Sequence, residues 1–386
     1  MRANQWSWRL VAVCMVMAMA AVACSSSPTS GGGDDGNEES GESDGAKRLE
    51  ELYTELEGMD IEERREALIK IVEEEEDGQL NLYGSTNLDE ADPIIAAFED
   101  ATGLEPNLYR ASSTDVAQRI LQEADADFAG ADLVYTNGPE MSILDNAGLL
   151  LPLESPAIEN MVPETVVSEN WAPIYLNLFT AAWNTDRVSA AEAPKTWEEV
   201  LTNFEGTLAM EVGDYDWFTT LVTQYFMEEK GMTEDEAVQL FKDAAAGASM
   251  VDGHTLMTEL LAAGEFDAAT SVYKHRAASL REKGAPVAWE PAVEPLVVRP
   301  NGIGILADTQ HPAASLLFAD FMMTDVQDML LEFDRTPAST EAEGGGIPTE
   351  YDVLLADLQL LFEEVDKWEG LYEEVANESG GEVLEE

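Results

Sequence analysis

The sequence predicts an α/β fold, a mostly parallel sheet flanked by helices, in a chain long enough for two domains. Three observations predict it. Short strand-like runs alternate with helical runs, the βαβ order that gives parallel sheets. The alternation falls into two blocks on either side of a long apolar strand, "YLNLFTAAWNT". The chain has 386 residues and 45% apolar content, enough for two cores.

Charge narrows the class of partner. Twenty Lys and Arg stand against 78 Asp and Glu, a formal net charge of −58. The Coulomb term therefore opposes nucleic acid and anionic lipid headgroups. Such a carboxylate excess repels itself in dilute salt and suits a saline medium. "MRANQWSWR" has two arginines and no acid, and the apolar run "LVAVCMVMAMAAVA" follows, short for a membrane span. "AVAC" then places small residues before Cys24, with Ala21 where a bacterial lipobox usually has Leu. Residues 1–23 are identified as a lipoprotein signal peptide, with Cys24 as the lipidated residue. Cleavage there removes Cys14 and leaves no free thiol for a disulfide, a metal or a nucleophile.

Residues 24–45 are Ser, Gly and acids, and predict a disordered tether. Residues 46–78 show helical spacing through Leu49, Leu52, Leu56, Ile61, Leu68, Ile69 and Val72, predicting two helices broken at Gly58. "LNLYGST", "PNLYRAS" and "ADLVYTN" predict strands, each followed by a helix; Gly103 suits the end of the first. The second block predicts helices over "TWEEVLTNF", "DYDWFTTLVTQYFMEEKG", "TEDEAVQLFKDAAAG" and "GHTLMTELLAAG", with strands over "TLAMEVG" and "FDAATSVY". "PVAWEPAVEPLVVRPNGIGIL" reads as extended, and "HPAASLLFADFMM" and "TDVQDMLLEF" as amphipathic helices. Residues 341–386 read as an acidic, partly helical tail.

Three stretches resemble the solute-binding proteins of bacterial ABC importers, in the type 2 periplasmic binding protein group that includes ferric-ion binders. They are "LNLYGSTNLDEADPIIAAFEDATGLEPNLYRASSTDVAQRILQE", "AAWNTDRVSAAEAPKTWEEVLTNFEGTLAM" and "PNGIGILADTQHPAASLLFADFMMTDVQDMLLEFDRTPA". The resemblance implies two lobes joined by two extended crossovers that close on a ligand like a hinge. Lobe 1 is expected over 79–174 plus 299–340, lobe 2 over 183–286, and the crossovers over 175–182 and 287–298. It also implies no catalysis, no resident cofactor, a membrane permease as partner and a monomer held by lipid on the extracytoplasmic face of the cell membrane.

Ligands in open α/β sheets sit beyond the carboxyl ends of the strands. Those ends carry Ser85, Thr86 and Asn87, then Ser112 and Ser113, then Thr136 and Asn137. Ser113 or Thr114 can equally cap the next helix. Lobe 2 offers Asp214, Asp216 and Trp217 at one turn, His254 at a helix start, and Tyr273, His275 and Arg276 at a strand end. Trp217 and Trp289 fit a core as well as a ligand-stacking role. Ferric binders usually present two adjacent tyrosines where this chain has Val272 and Tyr273, so an iron site would need Asp216, His254, Tyr273 and His275 together. Alternatively, Lys274, Arg276 and Tyr273 hold a carboxylate or phosphate, although Lys274 fits a solvated helix face as well.

The expected function is capture of ferric iron or a small anionic or polar solute. A secreted, glycosidase-like hydrolase and a ligand-sensing receptor subunit are the alternatives. No Gly-x-Ser-x-Gly elbow, His-Glu-x-x-His pair or Lys-bearing phosphate loop supports an enzyme.

Overall fold

The computed structural model describes residues 43–385 apart from Glu205 and Glu382. The expected signal peptide, Cys24 and most of the expected tether lie outside the described residues.

α1 (Asp44–Glu55) and α2 (Ile61–Glu75) come first, with Gly58 at φ +77° in the turn between them. A side chain could enter that left-handed region only with strain. Asp60 and Glu63 form a reciprocal cap at the start of α2. The first half continues with β1 (Asn81–Gly84), α3 (Leu88–Thr102), β2 (Asn107–Arg110), α4 (Ser113–Asp125), β3 (Leu133–Asn137), α5 (Gly138–Asn146) and the short β4 (Leu150–Leu151). β5 (Trp171–Asn184) leads into the second half. There the chain forms β6 (Leu208–Glu211), α6 (Tyr215–Thr220) with a π-helical continuation over Leu221–Glu229, α7 (Glu234–Ala245) and β7 (Ser249–Val251). α8 (His254–Ala263), β8 (Ala268–Tyr273), α9 (Lys274–Glu282) and β9 (Val287–Ala288) complete it. β10 (Leu296–Leu306) returns, followed by α10 (Pro312–Met323), α11 (Asp325–Met329), β11 (Thr336–Pro337), β12 (Val353–Leu355), α12 (Leu358–Glu363) and α13 (Val365–Asn377).

The main strands form one path, β2-β1-β3-β10-β5-β8-β6-β7. Pairing is parallel within each half, β2-β1-β3 on one side and β8-β6-β7 on the other. β5 and β10 are antiparallel to each other and to their outer neighbours, so these two strands run through both halves. All 14 residues of β5 and all 11 of β10 are buried, as expected of strands covered on both faces. The chain is a two-lobe α/β protein.

Three segments differ in detail from expectation. Residues 287–298 hold β9, an irregular stretch and only the first residues of β10; the second long strand begins at Leu296. Pro291 and Pro295 have no N–H to give to a ladder, which accounts for the interruption. α10 is not amphipathic: every residue from Pro312 to Met323 is buried. Leu49, Leu52, Leu56, Leu68 and Val72 of the two N-terminal helices share its core cluster, so the extension roofs a helix buried on every face, with Arg64 of α2 meeting its one acid, Asp320, at 3.0 Å. Residues 341–386 are not a free tail. β12 pairs with β10, Leu358 and Leu361 of α12 are buried beside α5, and Trp368, Tyr372 and Val375 of α13 enter the core of the second half.

Candidate functional site

A cavity of about 670 Å³ lies between the halves, at the carboxyl ends of the parallel strands. Its first wall is built by the loops after β1, β2 and β3. Ser85, Asn87, Ser112, Ser113, Thr114 and Asn137 line it. Ser112 caps α4 by accepting from the Asp115 N–H at 3.1 Å. The backbone N–H groups of Ser113 and Thr114 open that helix and have no acceptor within it. Arg110, the last residue of β2, reaches the Asn87 side-chain oxygen at 2.6 Å and makes no ion pair among the described residues.

The floor comes from β5 and β10. Their register sets Asn177 opposite Arg299, and the period of two puts Asn301 on the same face. Asn177 and Asn301 both donate to the Asn137 side-chain oxygen, at 3.4 and 3.3 Å. Arg299 is buried; one Nη donates to Asp216 at 2.6 Å and the other to the Tyr273 hydroxyl at 2.5 Å. Its guanidinium lies 4.7 Å over the Phe179 ring. Arg335, also buried, donates to Glu90 and, at 2.8 Å, to the Asn177 oxygen. Each floor guanidinium thus has one carboxylate behind it, as a buried charge requires.

The second wall holds Glu211 at the end of β6, Asp214 in the next loop, and Gly253 and His254 at the start of α8. Gly213 and Gly253 donate backbone N–H to the two oxygens of Glu211, at 2.6 and 3.1 Å. Gly253 has φ +100°, a conformation a side chain would strain. His254 sets Nδ1 2.9 Å from the Ser271 carbonyl oxygen and Nε2 3.1 Å from Asp214. Burial opposes the imidazolium, but Asp214 and Glu211 together outweigh it and raise the His254 pKa. Burial and then Asp214 push Glu211 up to about 7, with His254 opposing. Burial likewise pushes Glu140, on the first half, up to about 7, with Arg299 opposing.

Of the residues expected to contact ligand, Ser85, Asn87, Ser112, Ser113, Asn137, Asp214, His254 and Tyr273 line the cavity. The others do not. Thr86 is buried against the Tyr175 hydroxyl at 2.9 Å, and Thr136 donates to Ser85 at 3.1 Å. Asp216 lies behind Arg299. Trp217 is fully buried, 5.5 Å from both Trp197 and Phe241, as core. Trp289 is buried against Tyr351. His275 is buried with Nε2 3.9 Å from Glu90; burial first, then Arg335 and Arg276, hold its pKa well below the ordinary value. Arg276 pairs with Asp89 at 2.9 Å. The conditional iron set of Asp216, His254, Tyr273 and His275 therefore does not converge. Arg299 takes the Tyr273 hydroxyl, and burial raises that phenol's pKa more than Arg299 lowers it, so a phenolate is disfavoured. Glu211, Asp214 and His254 instead bring one donor atom each within 4.8 Å of one another.

Sequence reasoning missed Arg110, Glu140, Asn177, Glu211, Arg299 and Arg335. A signal existed for three of them. Arg299 in "PLVVRPNGIGIL", Asn177 in "IYLNLFTAAW" and Glu211 in "TLAMEVG" are polar residues inside apolar strand runs, where burial without a partner is costly.

The sequence model of the family described as bacterial extracellular solute-binding protein matches residues 93–343. No curated protein sequence matches the chain. Among solved structures, iron-bound HitA from Pseudomonas aeruginosa is similar at 20% identity and a TM-score of 0.64, over 77% of this chain and 99% of that one. AfuA from Actinobacillus pleuropneumoniae with fructose-6-phosphate matches at 20% identity and TM-score 0.64, over 78% and 96%. MotA from A. tumefaciens B6 with glucopine matches at 15% identity and TM-score 0.62, over 77% and 99%. At these identities the likeness is one of fold.

Proposed function

Because the chain belongs to the bacterial extracellular solute-binding family, whose members bind and do not transform their ligands, we propose that it captures a small organic solute bearing an acidic group for an ABC importer. The observation that carries this reading is Arg110. It is a guanidinium with no ion pair among the described residues, set beside the open N-terminus of α4 at the rim of the cavity. Guanidinium and helix N–H groups together suit a carboxylate or phosphate. The amides of Asn137 and Asn177 below can hydrogen-bond the solute's polar body. Burial between two walls supplies affinity that neither wall has alone. Fructose-6-phosphate, which AfuA holds, has the charge and polarity this reading requires. Iron, which HitA holds, is the second reading; the engagement of Tyr273 by Arg299 speaks against it.

A thermal-shift and calorimetry panel of sugar phosphates, small carboxylates and Fe³⁺ tests the proposal. At least one acid is expected to bind, and Arg110→Ala to weaken it at least tenfold. A response to Fe³⁺ alone, or an acid recovered cleaved, overturns it. We also propose that Cys24 anchors the chain by lipid. Cys24→Ser is then expected to move the protein from the membrane to the soluble extracytoplasmic fraction; unchanged partition would reject the anchor.

A further inference from the structure

Glu211, Asp214 and His254 come from three adjoining segments of the second half and all face the cavity. Three observations separate them from an ordinary ion-paired cluster. First, the carbonyl of Ser271 can only accept, so at 2.9 Å it fixes the proton on Nδ1 of His254. Nε2 is thereby turned to Asp214 at 3.1 Å, and the proton it shares there is the one a metal ion would displace. A backbone acceptor on the far nitrogen is the usual support of a metal-bound imidazole. Second, Oδ2 of Asp214 has no hydrogen-bond partner among the described residues, although Asp214 is 1% exposed. A buried carboxylate oxygen left this way is costly unless a cation or donor meets it. Third, the N–H groups of Gly213 and Gly253 hold Glu211 rigidly, yet each of its oxygens keeps a free lone pair.

We propose that Glu211, Asp214 and His254 bind one divalent first-row transition ion on the second wall of the cleft. Two carboxylates balance the charge of the ion, and the imidazole favours a transition ion over calcium or magnesium. Metal–ligand bonds of about 2.0–2.2 Å put donors roughly 3–4 Å apart. The observed limit of 4.8 Å closes to that with side-chain shifts of an ångström or so. All three donors belong to one half, so the ion binds without closure of the cleft. Its remaining coordination positions face the cavity, where an oxygen of the captured solute can complete the shell. The ion is then a resident part of the receptor, a role distinct from that of cargo.

The test is calorimetric titration of Zn²⁺ into the chelator-treated full chain without any organic solute, so its outcome is separate from that of the solute panel. One ion per chain is expected. Asp214→Asn and His254→Ala should each weaken binding at least tenfold, while Glu259→Gln, an exposed acid elsewhere on α8, should leave it unchanged. Co²⁺ should give visible absorption with wild type that His254→Ala abolishes. Should His254→Ala fail to fold by circular dichroism, the near-isosteric Asp214→Asn and the wild-type Co²⁺ spectrum decide. Non-stoichiometric uptake that all three variants share would mean ions condensing on the acidic surface and would overturn the site. Loss with Asn87→Ala as large as with Asp214→Asn would mean an ion shared between halves and would overturn the resident role.

Discussion

The side-chain amide of Asn87 donates to the hydroxyl of Thr255 over 2.9 Å, joining the loop after β1 to the first turn of α8 across the mouth of the cleft. Beside it, Arg276 of α9 pairs with Asp89 of α3 at 2.9 Å. Partly exposed contacts of this kind contribute only ~0.2–1 kcal/mol each, so they join the two walls weakly. Thr255→Val combined with Arg276→Gln is expected to enlarge the radius of gyration of the solute-free protein in X-ray scattering. Superimposable curves would show that these bridges do not hold the halves together.

Asp216 is the carboxylate that balances Arg299 in the floor. Asp216→Asn leaves a buried guanidinium without a counter-charge, and is expected to cost ~3–5 kcal/mol in urea unfolding. Replacing both partners by apolar residues of similar size should recover most of that loss. A single variant as stable as wild type would mean that water or another acid solvates Arg299.

Glu140 fits its site best when protonated, because burial pushes its pKa up to about 7 from an unfolded value near 4.5. The stability this group contributes is therefore complete below the unfolded value and is lost as pH rises through about 7. Glu140→Gln keeps the neutral shape. It should match wild type at pH 4 and exceed it by roughly 3 kcal/mol at pH 8. A difference that does not change with pH would mean that the carboxyl titrates as in water.

Trp368 of α13 is 1% exposed in the core of the second half. Trp368→Ala is expected to cost ~3–5 kcal/mol, the range for deleting a buried large aromatic. Limited proteolysis would then cut α13 early. Wild-type resistance and melting temperature would return this segment to the status of an appendage.

The net charge of −58 predicts a salt effect of definite sign. The screening length falls from ~10 Å at 0.1 M to ~3 Å at 1 M, so self-repulsion fades. The melting temperature should rise steadily with NaCl over that range. A flat profile would mean that the acids are spaced or paired well enough to need no screening.

Much of the fold was legible because it rests on periodicity. The strand and helix alternation around Gly103, the long strand ending at Asn184 and the helix from Pro312 all leave local signatures. What was illegible depends on pairing in space. α10 looked amphipathic until α1 and α2 covered it, and the C-terminal residues read as an acidic, partly helical tail because Trp368 and Tyr372 are sparse among acids. The site divides the same way. Ser112 and Asn137 follow from their place at strand ends, whereas Arg299 and Asp216 are 83 residues apart and find each other only through the pairing of β10, β5, β8 and β6, after which α6 carries Asp216. His275 misled because its neighbours in sequence, Tyr273 and Arg276, face the cavity and the surface, while its own ring turns toward Glu90.

The segment from β12 to α13 touches both halves: α12 rests on α5, and α13 on α6 and α7. Together with β5 and β10 it makes three strings across one joint. Two strings permit a body to swivel as well as bend; a third, set off their line, removes the swivel. Any opening of the two halves is then expected to be rotation about a single axis, which would bring the facing amides and guanidiniums back to the same alignment.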